Sequence, residues 1–161
     1  MDTESAIQRT LIKQRVAALL LKHFGPAGAA GQWFRGIKRA QWRPGNNVRP
    51  CVWVTDGGTV RGSGRLDDDT TKSHVLTIRL VLDLVSHFER EDTMDDWSDR
   101  VERIRLKLEN FSPAAGCSRF EVLNDDPMDV VLQAGGVEAV WLIECEVEYH
   151  VEVRAFGPDA P

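Results

Sequence analysis

The sequence has no long apolar run, and this absence excludes a whole class of protein. No stretch of the 161 residues approaches the roughly 18 consecutive apolar side chains that a membrane-spanning helix needs. The first residues, MDTESAIQRTLIKQRV, are too polar for a secretory signal. We therefore expect no membrane association and a protein that is made in a cytosol-like compartment.

Cysteine and excess positive charge are also scarce. The three cysteines, Cys51, Cys117 and Cys145, are an odd number at wide spacing, unlike a disulfide framework or a zinc knuckle. Cys51 and Cys145 lie in apolar strand patterns, which predicts that they are core residues. The net charge of −5 argues against a protein that wraps nucleic acid over its whole surface.

Recognisable catalytic motifs are missing as well. The chain has no Walker loop, no GxSxG, no HExxH and no CxxC, and its four histidines are scattered singly. A catalytic site needs a nucleophile with a base, converging metal ligands or paired carboxylates in different environments. None of these stands out, so we predict that the protein is not an enzyme and carries no cofactor or metal.

The strongest pattern present is an alternation near the C-terminus, WLIECEVEYHVEV, over residues 141–153. Because side chains of a strand point alternately to opposite faces, the odd-numbered residues from Trp141 to Val153 should enter a core. The reverse face carries an acidic row, which comprises Glu144, Glu146, Glu148 and Glu152. This row is expected to line a pore, to meet a neighbour's arginines, or to face water.

A metal-dependent nuclease is a further alternative for the acidic row. Asp83, on another predicted strand, is a candidate to join the glutamates in holding divalent ions that clamp a phosphate. Such sites generally have a lysine or another activator beside the carboxylates, and neither long strand pattern carries a lysine. The nuclease is therefore the third hypothesis.

The remaining elements predict one α+β domain over residues 1–161, in the order helix, strand, strand, helix, strand, strand. Both helices are expected on one face of an antiparallel or mixed sheet. A helix from about Glu4 to Phe24 is stopped by Gly25-Pro26 and carries apolar residues on two faces. Its sheet should cover one face; a loop or a neighbouring subunit should cover the other.

A turn is predicted at Asn124–Pro127, and Asp56-Gly57-Gly58 should end the first strand.

Residues 25–50 form a predicted insertion without periodicity and without any acidic residue. Long loops of this kind are usually functional or ordered by a partner. Tryptophan and arginine are enriched at protein interfaces, although basic residues among aromatics also suit single-stranded nucleic acid. An ordinary ordered loop is the third alternative. The residues predicted to form a subunit or partner interface are Trp33, Phe34, Arg35, Lys38, Arg39, Trp42 and Arg43.

The layout resembles the tail terminator (tail completion) proteins of long-tailed bacteriophages. The matching pieces are AIQRTLIKQRVAALL near the start, RPCVWV at 49–54, SHVLTIRLVLDLV at 73–85, DDWSDRVERIRLKLENF at 95–111 and VWLIECEVEYHVEV at 140–153. The resemblance covers most of the chain and consists of pattern and element order. The insertion at 25–50 is longer than the family pattern.

The resemblance implies a structural protein of the virion tail, assembled in the host cytoplasm and without enzymatic activity. Its partners would be further copies in a hexameric ring, the tail tube protein and the head–tail connector protein. The ring would cap the tail tube and stop its polymerisation, and DNA would pass through without specific binding.

Residues 25–50 carry five positive groups and residues 138–152 five glutamates, which favours head-to-tail contact between copies. The alternative is a non-enzymatic interaction module of another assembly.

Overall fold

Among the residues that the structure describes, two helices and five strands form the predicted α+β domain. This computed structural model describes residues 4–26, 28, 33–44, 48–62, 71–84, 91–109, 111–114, 116–131 and 135–152. The elements are α1 (Glu4–Phe24), β1 (Gly36–Lys38), β2 (Cys51–Arg61), β3 (Thr71–Asp83), α2 (Glu91–Leu108), β4 (Glu121–Val131) and β5 (Val137–Glu152). The predicted order is confirmed, with one short strand, β1, added inside the insertion.

The five strands make one mixed sheet in the order β1-β2-β3-β5-β4. Strand β1 runs parallel to β2, and every other neighbouring pair is antiparallel. Leu80 of β3 lies opposite Val54 of β2 and Ile143 of β5, so one row of the sheet presents three buried apolar side chains to the same face. Strands β1 and β4 are the two edges.

The predicted alternation of β5 is confirmed from Trp141 to Val151, and Val153 lies outside the described residues. Its odd-numbered side chains are buried in a single apolar core, from Trp141 at 4% exposure to Val151 at 8%. The two helices supply the other wall of this core at helical spacing. The buried helical residues are Ile12, Val16, Leu20 and Phe24 of α1, and Trp97, Val101, Ile104 and Leu108 of α2. The helices therefore cover one face of the sheet.

Helix α1 ends at Phe24, as the Gly25-Pro26 stop predicts. Only one of its two apolar faces packs into the core; on the other face Leu11 is half-buried, while Ala18 and Leu21 are exposed. Leu21 retains 52% of its accessible surface. The described part of the chain thus leaves the second face of the helix partly open to water.

Strand β2 does not end at Asp56-Gly57-Gly58, so that prediction was wrong. The three residues form a bulge, and pairing with β3 resumes at Thr59. Gly58 has a φ of +86°, a conformation that residues with a Cβ rarely adopt, and its N–H donates to Asp56 Oδ1 at 2.8 Å. The turn-like sequence therefore bends the strand without stopping it.

The turn predicted at Asn124–Pro127 was also wrong. These residues belong to β4 and pair with β5 through Leu142 and Trp141. Asp125 accepts hydrogen bonds from the Trp141 indole nitrogen at 3.0 Å and from Arg105 at 2.9 Å. Proline is tolerated because β4 is an edge strand. Tertiary partners thus override a local turn signal.

Candidate interface surfaces

The aromatic start of the insertion packs against its own chain. Phe34 is 1% exposed, and its ring lies 5.6 Å from that of Trp97. Its N–H donates to the carbonyl of Phe24 at 3.0 Å, which ties the insertion to the end of α1. Phe34 is therefore a core residue, contrary to the expectation that it contacts a partner.

Trp33 is partly buried and completes an aromatic stack. Its ring lies 4.8 Å from the ring of Phe24 in a stacked arrangement. The guanidinium of Arg100 sits 5.6 Å from the Trp33 ring and 4.8 Å from the Trp97 ring. Contacts of this kind attract the cation to the electron-rich ring faces. Trp33, Trp97 and Arg100 line one open cavity of about 520 Å³, together with Arg35 and Pro50.

Further along the insertion, Trp42 and Arg49 reach the helix-free face of the sheet and meet buried carboxylates. Trp42 Nε1 donates to Asp83 Oδ2 at 3.0 Å. Arg49 Nε lies 3.1 Å from Asp83 Oδ1 as an ion pair, and its Nη2 contacts Glu138 Oε2. Asp83 is 0% and Glu138 6% exposed, so these charges depend on their partners for compensation. We call Trp42, Arg49, Asp83 and Glu138 the buried polar cluster.

Sequence reasoning did not find the buried polar cluster, although one signal was present. Asp83 interrupts the apolar pattern of β3, and an aspartate in a buried strand requires a cation or several donors. The sequence does not show that Trp42 is a partner of Asp83, because the two residues lie 41 positions apart along the chain. Arg49 and Glu138 belong to the basic segment 25–50 and the acidic segment 138–152, whose opposite charge was expected to favour contact between copies, but these two residues pair within one chain.

The remaining basic residues of the insertion stay on the surface. Arg35, Lys38, Arg39 and Arg43 are exposed. Lys38 Nζ lies 4.9 Å from the centre of the Trp53 ring on the neighbouring strand. The structure thus brings Arg35, Lys38 and Arg39 to the β1 edge of the sheet, and these three residues form what we call the basic edge. This placement keeps them accessible to another molecule.

The acidic row lies on the helix-free face, where Glu144, Glu146 and Glu148 are half-buried. Glu144 Oε2 accepts a hydrogen bond from Arg79 Nε at 3.0 Å. Glu146 lies directly opposite Glu121 of β4, an arrangement in which like charges repel. Glu152 ends β5, and its side chain lies outside the described part of the structure. Glu144 is therefore neutralised within the chain.

The groups that a nuclease site requires do not converge. Asp83 pairs with Val140 and Arg79 with Glu144, so Asp83 and Glu144 are separated by four residues along the strand, roughly 13 Å at the usual rise per residue. Asp83 is also engaged by Trp42 and Arg49. In the described ranges, no group of three or more histidine, cysteine, aspartate or glutamate side chains is placed to hold a metal ion.

The chain has no match among models of known protein families or among curated proteins. Within the described residues, neither α1 nor α2 is long and apolar enough to cross a bilayer.

Proposed function

We propose that the protein is a structural component of a bacteriophage tail, of the tail terminator type, which assembles into a ring at the end of the tail tube. The ring stops polymerisation of the tube and joins it to the head connector. The observation that carries this proposal is the one-sided architecture: two helices cover one sheet face, and the opposite face presents the acidic row.

The helix-free face has the chemistry expected of a channel for DNA. A basic lining would release counterions from the duplex and hold it, whereas an acidic lining repels phosphates. Arg79 neutralises Glu144, and Glu146 beside Glu121 keeps negative charge on this surface. The row therefore suits a wall that DNA passes without binding.

Self-association is supported by apolar surface that one copy leaves uncovered. Leu21 of α1 is 52% exposed, and Leu123 and Val131 of β4 are 45% and 78% exposed. Exposed apolar groups that cluster on one element often mark contacts with other proteins. A closed cyclic assembly would bury such groups in every copy.

Native mass spectrometry with negative-stain microscopy of the purified protein tests the proposal. We expect a closed ring of about six copies, because homo-oligomers favour closed symmetry. A monomer at all accessible concentrations would overturn the ring. Magnesium-dependent cleavage of DNA by a monomer would replace the proposal with the nuclease hypothesis.

The channel assignment has its own test, a triple charge reversal of Glu144, Glu146 and Glu148 to lysine in the phage. We expect particles that assemble but eject DNA poorly, because the lining would then attract phosphates. The matched control reverses Asp95, Asp99 and Glu102, which are exposed acidic residues of α2. Unchanged infectivity and ejection in the first variant would remove the acidic row from the lumen.

A further inference from the structure

We infer that the β4 edge of one copy docks against the β1 edge of the next copy, so that neighbouring sheets join edge to edge around the ring. This inference rests on the proposed function, because it names the surfaces through which the ring closes. It concerns the two outermost strands of the order β1-β2-β3-β5-β4, each of which pairs with a single neighbour within the described chain.

The two edges carry opposite charge. The basic edge consists of Arg35, Lys38 and Arg39, and the segment from Gly36 to Lys38 contains no acidic residue. Strand β4, EVLNDDPMDVV, has four acidic residues and no basic one. Its exposed acidic side chains, Glu121, Asp126 and Asp129, form what we call the acidic edge. Complementary charge of this kind orients two surfaces and selects the correct partner.

One row of side chains across the helix-free face shows how the edges match. Lys38 lies opposite Trp53, Trp53 opposite Val81, Val81 opposite Leu142, and Leu142 opposite Asp126. The row therefore begins with an ammonium and ends with a carboxylate, with three apolar side chains between them. If a second sheet continues the first, Asp126 of one copy meets Lys38 of the next.

This edge of the sheet also exposes apolar side chains to water. Leu123 is 45%, Met128 39% and Val131 78% exposed, and Val137 at the start of β5 is 36% exposed. Long edge strands with exposed apolar residues are templates for pairing with another chain. Strand β4, which is acidic and apolar, therefore fits a partner surface that is basic and apolar. Lys38 beside Trp53 provides such a surface.

Strand direction is compatible with this contact. Strands β1 and β2 are parallel, and each of the three following pairs is antiparallel, so β4 runs opposite to β1. If the sheet of one copy continues into the sheet of the next copy with the same orientation, β4 of the first copy runs antiparallel to β1 of the second. The contact joins two different surfaces, and such heterologous contacts close into rings when the rotation allows. Pro127 lacks an N–H, so β4 cannot donate a backbone hydrogen bond to the next copy at this position.

Charge reversal at both ends of the row tests the docking. We expect Lys38→Glu and Asp126→Lys, made separately, to raise the concentration needed for assembly by about tenfold or more, because each places like charges together. The double variant should recover assembly. An equimolar mixture of the two single variants should recover it too. When the two variants alternate around the ring, every contact between copies joins opposite charges.

The matched control reverses Glu102 and Arg103, which are exposed on α2, and should leave assembly unchanged. Circular dichroism establishes that each variant is folded, and sedimentation velocity measures assembly. If the wild-type ring forms and the single reversals leave it intact, the edge docking is overturned while the proposed function stands.

The opposite result is also distinguishable. If the wild-type chain forms open filaments and the single reversals dissolve them, the edge docking stands and the ring function fails. A wild-type chain that stops at dimers overturns the docking, because a heterologous contact leaves a free edge on each dimer. A wild-type monomer overturns both. Binding of the basic edge to single-stranded nucleic acid, with no self-association, assigns that edge to another partner and also overturns the docking.

Discussion

The indole nitrogen of Trp42 donates a hydrogen bond to a carboxylate oxygen of Asp83 over 3.0 Å, although the two residues lie 41 positions apart. Asp83 is fully buried, and Arg49 lies on its other oxygen. This contact fixes the insertion to the helix-free face of the sheet. It also gives Trp42 and Arg49, in a segment rich in polar and basic residues, a binding partner within a single copy.

Removing the cation of the buried polar cluster should destabilise the fold strongly. Arg49→Met leaves the carboxylates of Asp83 and Glu138 without their guanidinium and should cost about 3 to 5 kcal/mol. Trp42→Phe removes one donor and should cost about 1 to 2 kcal/mol. Urea unfolding at one fixed protein concentration measures both. Arg39→Met, an exposed neighbour in the same segment, is the control and should change stability by less than about 0.5 kcal/mol.

Phe34 and Arg35 are adjacent in sequence but should respond in opposite ways. Phe34→Ala opens a cavity in the core beside Trp97 and should cost about 3 to 5 kcal/mol. Arg35→Ala removes an exposed side chain and should leave the unfolding midpoint of the isolated chain nearly unchanged. Loss of assembly with unchanged stability in Phe34→Ala would return this residue to an interface role.

Asp56 should make the stability of the protein depend on pH in the acid range. Burial alone raises the pKa of its carboxyl, but hydrogen bonds from Arg9, from the Gly58 N–H and from Lys13 outweigh burial and hold the pKa well below its usual range. A lowered folded pKa stabilises the protein above the ordinary aspartate pKa, and this contribution is lost as the pH falls through the folded pKa.

The variant Asp56→Asn should therefore cost about 1 to 2 kcal/mol at neutral pH, with a smaller cost below about pH 4. Urea titrations from pH 3 to pH 7 give the difference from wild type at each pH. Asp99→Asn, which removes an exposed carboxylate of α2, is the matched control. A cost for Asp56→Asn that stays constant down to pH 3 would contradict the assignment.

The three thiols should react in a fixed order. Burial raises the pKa of Cys145 to about 12, and burial also raises the pKa of Cys51 and of Cys117. Thiolates are the reactive form, and only Cys117 is not fully buried. A disulfide reagent at pH 8 should modify Cys117 slowly and the other two only after unfolding. Cys117→Ser should abolish the native-state reaction; its persistence would indicate opening at Cys51 or Cys145.

Two sequence patterns predicted their elements closely because a regular period was present. The alternation of β5 identified its buried residues. The apolar residues Trp97, Val101, Ile104, Leu108 and Phe111 recur at intervals of four, three, four and three, which predicts a helix with one apolar stripe. The first four are buried in α2, and Phe111 lies three residues beyond its end. Both predictions needed no knowledge of a distant partner. Periodic burial follows from backbone geometry alone, since side chains repeat every two residues in a strand and about every 3.6 in a helix.

Predictions from local composition succeeded less often. Asn124–Pro127 has turn chemistry but lies inside β4, because Arg105 and Trp141 supply partners for Asp125. Residues of the insertion from Trp33 to Arg43 were predicted to form one partner interface. Phe34 is instead buried in the core, whereas Lys38 is exposed at the edge of the sheet. Composition describes what a segment can contact, whereas the neighbouring elements determine what it does contact.

The sequence by itself determined the α+β class, the core face of β5 and the separation of basic and acidic segments, because periodicity and charge are local properties. The tertiary structure decided which charges remain available. It joins Arg49 to Asp83 and Glu138 inside one chain, and it carries Lys38 and Asp126 to opposite ends of one row. These pairings depend on strand order, which brings together residues that are far apart along the chain.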